Sequence, residues 1–281
     1  MAPGVFAAAE ESNPLGCTPR YGDGAVVIRG LVSVTALDQT YDEIKDRLNA
    51  DCEWEGEFFP KETKRVNGLI GASPTYTRTQ AMNLLFQSLC AELFTTRSTF
   101  WWGDTRKESV SKPYVTAAVA IQIGPGAKAQ PLHGDSYVNH RVRDEIEEWD
   151  DVRDERREIS IGMMVAGCRV TKENGGTQII PGSHLWRRPP NLHSVMHGGG
   201  NNTTIDNYRL VYSTFVVRGY LRQEENQFLA IPREIVKTFD RQTQEFIGYY
   251  ISEPACGHVE QMDPIYVLYP ELLGSGGPRD F

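Results

Sequence analysis

The sequence predicts an all-β core with helical decoration. Three observations point that way. Runs of β-branched and apolar residues, bounded by glycine, proline or charge, recur at 114–123, 159–170 and 207–220, the pattern of strands that bury one or both faces. Helical spacing of apolar residues is confined to segments before and after those runs. A length of 281 residues fits one large all-β domain with a sizeable core.

In chain order, residues 1–21 are rich in small residues and proline and are expected to form a mobile arm, leaving 22–281 as a single domain. Ala25–Val32 reads as a first strand closed by glycine. Leu37, Tyr41, Ile44 and Leu48 are spaced three or four apart, which predicts a helix over Ser33–Leu48. Residues 53–71 are irregular and rich in charged residues of both signs. A second helix is predicted over Thr75–Leu93, with Met82, Leu85, Leu89 and Leu93 as a stripe packed on the sheet. The strand Tyr114–Ile123 is broken by Gly124-Pro-Gly126. Residues 141–158 are nearly all charged, with mixed signs around Trp149. That composition suits a solvated insertion, and a lid over a substrate mouth is the second reading. The strand at 159–170 leads through a Gly175-Gly176 turn to a short strand, Thr177–Pro181, which proline stops. Residues 185–196 read as a loop, 207–220 as a strand with both faces in use, and 232–239 as a helix, after which Tyr249, Tyr250, Tyr266 and Tyr269 follow in the tail.

Charge narrows the function. A net charge of −8 argues against a nucleic-acid partner, whose phosphates demand basic surface. A small molecule is the expected partner. Five widely spaced cysteines, with no Cys-x-x-Cys pair, indicate neither a disulfide framework nor a zinc ribbon. No cationic n-region precedes the short apolar run near the N-terminus, and no stretch reaches the apolar length of a membrane span. The expected location is the cytoplasm.

The chemistry gathers around Gln130-Pro-Leu-His133-Gly-Asp135. On an extended strand, residues i and i+2 point to the same face, so His133 and Asp135 can converge on one ion. One carboxylate and two neutral imidazoles on one face of an octahedron form the ligand set of the non-heme Fe(II) oxygenases. Candidates for the second imidazole are His184, His193 and His197, since His140 lies too near the first pair and His258 sits in the tail. His197 is preferred because Gly198-Gly199-Gly200 lets backbone pass close to a crowded centre, and because Arg209 follows at the distance of a turn and a returning strand. A guanidinium there can fork a carboxylate.

Several stretches, in order, resemble one family. They are Gln130–Asp135, Asn174-Gly-Gly-Thr177 with Pro181-Gly-Ser-His184, His197-Gly-Gly-Gly200 and Leu221-Arg-Gln-Glu-Glu-Asn-Gln227. The chain is similar to the phytanoyl-CoA dioxygenase family from about Asp23 to about Leu268, most of all to its fungal branch, which tailors secondary metabolites such as meroterpenoids and indole alkaloids. The resemblance implies a double-stranded β-helix, or jelly roll. It also implies Fe(II), 2-oxoglutarate and O2 as cofactors, with His133, Asp135 and His197 as iron ligands. Arg209 would then hold the distal carboxylate of 2-oxoglutarate, with Gln130 and Thr177 as further contacts and Arg78 as another candidate. The substrate expected on this resemblance is an apolar, polycyclic, meroterpenoid-like metabolite, to be hydroxylated, desaturated or rearranged. A non-catalytic subunit that pairs with an active homologue is the alternative.

The chain departs from the family in one place. Between His184 and His197 the family has a long connection and a further strand, whereas only 185–196 is available here. Either Leu192–Met196 is that strand after a shortened loop, or a strand is missing and His197 is displaced. In the fungal branch subunits commonly pair, so the late aromatic and aliphatic residues of 248–254 and 263–269 lead to an expected dimer, homomeric or with a homologue, unless they cap the chain's own core.

Overall fold

The computed structural model describes residues 4–8, 23–140, 159–186 and 195–275. Among these residues, ten strands and seven α-helices follow in chain order. β1 (Gly4–Ala8) and β2 (Ala25–Arg29) precede α1 (Val34–Ala50), β3 (Thr63–Val66), α2 (Leu69–Ala72), α3 (Pro74–Tyr76) and α4 (Leu84–Phe94). β4 (Thr96–Trp102), β5 (Thr105–Ser111), β6 (Tyr114–Ile123), β7 (Ser160–Ala166), β8 (Thr177–Ile179), β9 (His197–Gly199) and β10 (Arg209–Val217) come next, then α5 (Gln227–Ala230), α6 (Arg233–Val236) and α7 (Arg241–Ile247).

The main sheet runs β2-β1-β7-β10-β6-β3. β10 lies antiparallel between β6 and β7, with Arg209 opposite Ile123, Ser213 opposite Val119 and Met164, and Phe215 opposite Gly162. Side chains alternate across a strand, so each central strand serves two layers. Val115, Ala118 and Ala120 of β6, Ile161, Met163 and Val165 of β7, and Leu210, Tyr212 and Val216 of β10 join the core beneath the helices. Their neighbours face an internal cavity. Opposite lies a second sheet, formed among the described residues by β8 and β9, which His133 extends by a bridge to His197. The result is an all-β, jelly-roll core whose two sheets do not close into a barrel.

Helices cover the other face of the main sheet. Ser33 caps α1 by accepting from Ala36 N at 3.3 Å, and Leu37, Ile44 and Leu48 pack inward; Thr40 takes the buried place expected for Tyr41, which is exposed. The second predicted helix is broken. Pro74 starts one turn, a π-turn occupies Thr77–Ala81, and the Asn83 side chain then accepts from Leu85 N and Phe86 N to cap α4. The wider π-turn and the new cap reset the helical phase. Phe86, Cys90, Leu93 and Phe94 are therefore buried, and Leu85 of the expected stripe is exposed.

Three further differences come from long-range pairing. The arm expected over 1–21 contains β1, which runs parallel to β2 and β7 and covers the edge that β7 would otherwise present. β4 and β5 form a hairpin, unrecognised in the sequence, around the two-residue turn Gly103-Asp104, with Gly103 at φ 55. A single helix was expected over 232–239, but α6 ends early and Asp240 caps α7 by accepting from Thr243 N. The expected lid at 141–158 lies outside the described residues.

The tail settles on its own domain. Tyr249, Ile265 and Leu268 are buried in the core, and Tyr266 and Tyr269 pack against it. The Tyr269 hydroxyl accepts from Gln244 Nε2 at 2.8 Å. These residues therefore do not form the uncovered patch on which the dimer expectation rested. Among the described residues no helix is long and apolar enough to cross a membrane, and Cys52, Cys90, Cys168 and Cys256 are free thiols.

Candidate metal and co-substrate site

His133 and His197 are brought together by backbone pairing. Each donates its N–H to the other's carbonyl, at 2.9 and 2.8 Å, which fixes the two Cα positions before any ligand arrives. Each Nδ1–H can donate to a carbonyl two residues back: His133 to Pro131 O at 2.8 Å and His197 to Val195 O at 3.0 Å. That leaves both Nε2 lone pairs directed at Asp135, 3.6 and 3.5 Å from its carboxylate oxygens. All three potential ligand atoms lie within 4.8 Å of one another. Burial pulls the His133 imidazole below its usual pKa, against the weaker upward effect of its bond to Pro131, and so favours the neutral form that a metal needs. The donor set fits Fe(II).

The shortened connection does not displace His197. Ile180 N donates to Met196 O at 2.9 Å and Met196 N to Ser183 Oγ at 2.8 Å, so the chain enters β9 already held against β8. His184 is buried at 1% exposure but stands outside the His133–Asp135–His197 cluster, and His193 lies outside the described residues. We expect His184→Ala to lower stability by about 1–3 kcal/mol, as buried truncations do, while retaining full metal stoichiometry in an equilibrium titration. Loss of metal in that variant, with full metal in His197→Ala, would reverse the assignment.

Beside the cluster, Arg209 is 5% exposed. Its Nη2 donates to Thr177 Oγ1 at 2.5 Å, its Nε has no acceptor, and it makes no ion pair among the described residues. Burial pushes its pKa down to about 10, still charged at neutral pH. A buried cation without an anion is costly; a ligand carboxylate supplies the missing partner. Thr177 stands opposite Gly199, whose N–H donates to Gln130 Oε1 at 3.2 Å. A Cβ on Gly199 would sit 3.1 Å from Ile123 Cδ1 and 3.6 Å from Arg209 Nη1, within the space between Arg209 and Gln130. The pocket thus fits a small dicarboxylate. Gly199→Val should weaken apparent 2-oxoglutarate affinity by about 1–3 kcal/mol, the usual cost of overpacking, with metal binding intact by titration. Arg78 does not join this group: it is exposed on the π-turn and is not part of the cavity wall.

The cavity holds about 440 Å³. Val119, Ile121, Val211 and Phe215 form its sheet wall, and Phe58 and Phe59 form a lip, with Phe58 edge-on to His133 at 4.7 Å. Arg65, Glu224 and Glu225 also line it. Sequence reasoning missed this group, although the apolar run Phe58-Phe59-Pro60 inside a charged stretch was a visible signal.

Comparison with known proteins identifies the family. The family model described as phytanoyl-CoA dioxygenase (PhyH) matches residues 21–211. Relatives include the dioxygenase peniF of Penicillium patulum, 31% identical over 92% of this chain and 87% of that one, and the dioxygenase cnsJ of Penicillium expansum, 31% identical over 90% and 81%. The dioxygenase swnH1 of Arthroderma benhamiae is 30% identical over 86% and 84%. Among solved structures, the non-heme α-ketoglutarate-dependent epimerase SnoN from nogalamycin biosynthesis is a looser likeness, with TM-score 0.48 and 17% identity over 71% of this chain and 81% of that one. The chain belongs to the phytanoyl-CoA dioxygenase family, and is a non-heme iron, 2-oxoglutarate-dependent dioxygenase.

Proposed function

We propose that His133, Asp135 and His197 hold Fe(II), that Arg209, Thr177 and Gln130 hold 2-oxoglutarate, and that the adjoining cavity takes a polycyclic fungal metabolite of meroterpenoid kind. One observation carries the reading: a His-Asp-His cluster and a buried, anion-less arginine line the same cavity. When bound, iron and 2-oxoglutarate supply the oxidising power, with O2 consumed and 2-oxoglutarate converted to succinate and CO2 as the substrate is hydroxylated, desaturated or rearranged. The protein's own part is positioning. Carbonyls of Pro131 and Val195 hold the two imidazoles in one tautomer, Arg209 orients the co-substrate through its carboxylate, and Phe58 shields the metal side from water.

The direct test is an anaerobic titration with Fe(II) and 2-oxoglutarate, followed by admission of O2. A metal- and co-substrate-dependent visible band and succinate release are expected. Neither appearing would leave the alternative, a non-catalytic partner of an active homologue. A cytoplasmic setting is part of the proposal, on the wide spacing of the cysteines in the sequence.

A dimer, homomeric or with a homologue, is also proposed, but on a different surface from the tail. Trp101 and Trp102 of β4 are 63% and 42% exposed, among the larger apolar side chains left uncovered. Sedimentation at micromolar concentration should show association that a Trp101→Ser/Trp102→Ser variant loses. A wild-type species of 31.6 kDa alone removes the dimer.

A further inference from the structure

The sheet wall of the cavity is built in rows across neighbouring strands. Arg209 stands opposite Ile123, Val211 opposite Ile121, Ser213 between Val119 and Met164, and Phe215 between Ala117 and Gly162. At about 3.3 Å per residue, Phe215 lies roughly 20 Å along β10 from Arg209. In that last row the distribution of bulk is inverted, with one aromatic ring between an alanine and a glycine.

Two features hold the ring at the end of the cavity. A Cβ on Gly162 would stand 2.9 Å from Phe215 Cε1 and 3.0 Å from its Cδ1, so the edge of the ring leans on the Gly162 backbone. Gly162 is not in the left-handed region, and the glycine is therefore needed for space and not for its conformation. On the other side, the β6–β10 register slips between Phe215 and Val216, which leaves Thr116 as the extra residue of a bulge. Thr116 Oγ1 accepts from Glu224 N at 2.7 Å and Thr116 O from Glu225 N at 2.9 Å, so the bulge anchors the loop that lines the cavity beside Ala117. Two residues beyond Phe215, Val217 is 1% exposed and is not part of the wall. The wall contributed by β10 thus ends at the Phe215 ring.

We propose that Phe215 is a specificity-determining residue that stops the substrate skeleton at the end of the cavity remote from Arg209, and that Gly162 is the seat that keeps its ring back. This rests on the dioxygenase reading and adds to it a limit on the length of the polycycle. With the ring on its seat, the last ring of the skeleton abuts Phe215. A methyl group at position 162 would push the ring off the seat and into the cavity, which shortens it. Removing the ring would lengthen the cavity over Gly162 and Ala117.

Two flat, neutral, fluorescent probes that differ by one fused ring test it: acridone and the longer benzo[b]acridone. Each is titrated by fluorescence into the full chain with Fe(II) and 2-oxoglutarate under nitrogen. Wild type should bind acridone on the order of tenfold more tightly, since the extra ring overpacks against Phe215. Phe215→Ala should bring benzo[b]acridone at least to the level of acridone. Gly162→Ala should weaken acridone by a similar factor, and Gly162→Ala/Phe215→Ala should recover it, because the methyl group then has no ring to displace. Val216→Ala, on the same strand but facing the core beneath the helices, should keep the wild-type preference. The proposal is overturned if wild type binds the two probes equally, if neither binds, if Phe215→Ala keeps the preference, or if the double variant binds acridone no better than Gly162→Ala. It also falls if Val216→Ala abolishes the preference equally, which would assign it to loosening of the sheet. The metal–co-substrate band is read in the same samples, so its absence would sink the dioxygenase reading independently of the length preference.

Discussion

Replacing His133 or Asp135 by alanine should abolish turnover and weaken iron binding by more than the roughly 10–100-fold that outer-shell changes cost. The reason is geometric. Both Nε2 atoms and the Asp135 carboxylate face one point, and the backbone bonds between His133 and His197 hold them there. Deleting one of three protein donors leaves the ion to water and buffer. His197→Ala should behave in the same way, because its Cα is locked to that of His133. Its loss leaves the β8–β9 ladder intact, since the ladder is made by backbone groups. Metal titration together with a thermal melt of the apo-protein separates the outcomes: an unchanged apo melt with lost metal is expected, and full metal retention in any of the three variants would remove that residue from the set. Asp135→Asn keeps the shape and removes the charge. It should lose most of the affinity, which tests whether the carboxylate acts as an anionic donor.

Arg209→Ala is expected to keep iron and lose 2-oxoglutarate. Truncating one partner of a buried, charge-assisted pair costs about 2–5 kcal/mol, so apparent co-substrate affinity should fall on the order of a hundredfold. Arg209→Lys should recover only part of this, because an ammonium lacks the planar fork and must still meet Thr177 Oγ1 from a different position. The apo-protein should become no less stable, and even slightly more so. Without ligand, Arg209 is a buried cation whose one hydrogen bond among the described residues is to a hydroxyl, and burial already holds its pKa down to about 10. A stable apo-variant with weakened co-substrate binding is a signature that a structural arginine does not give. Unchanged 2-oxoglutarate dependence would take Arg209 out of the site.

On either side of the shortened 185–196 connection, the described residues are held by a few hydrogen bonds. Met196 is held by Ile180 and Ser183, and His197 by His133. Gly198 passes over the Gln130–Leu132 backbone so closely that a Cβ there would lie 3.1 Å from Gln130 O and 3.2 Å from Pro131 O. The glycine run thus supplies closeness as well as freedom.

Much was legible in local pattern. β6 occupies the run read from Tyr114 to Ile123, because β-branched and apolar alternation depends on a period of two that any partner strand will respect. His133 and Asp135 were recognisable as a pair because i and i+2 share a face of an extended strand, although the structure brings them together with Asp135 opening a 3-10 turn, Asp135–Asn139, instead of continuing a strand; the glycines after His197 and the arginine beyond them pointed to the rest of the site. The sequence alone also sufficed for the family. Other features depended on contacts between distant segments. Which of three histidines joins His133 was decided by the His133–His197 bridge. The phase of α4 was decided by a π-turn and the Asn83 cap, which periodicity counted through an unbroken helix cannot register. Residues 4–8 were assigned by an open sheet edge rather than by their own composition, and the tail aromatics by a core able to receive them. Phe58, Glu224 and Glu225 reached the cavity from loops whose local sequence carries no direction. Local propensity is set within a turn or a strand. Which side chains meet is set by register and packing across the whole chain, and for this protein those decided the ends of the cavity.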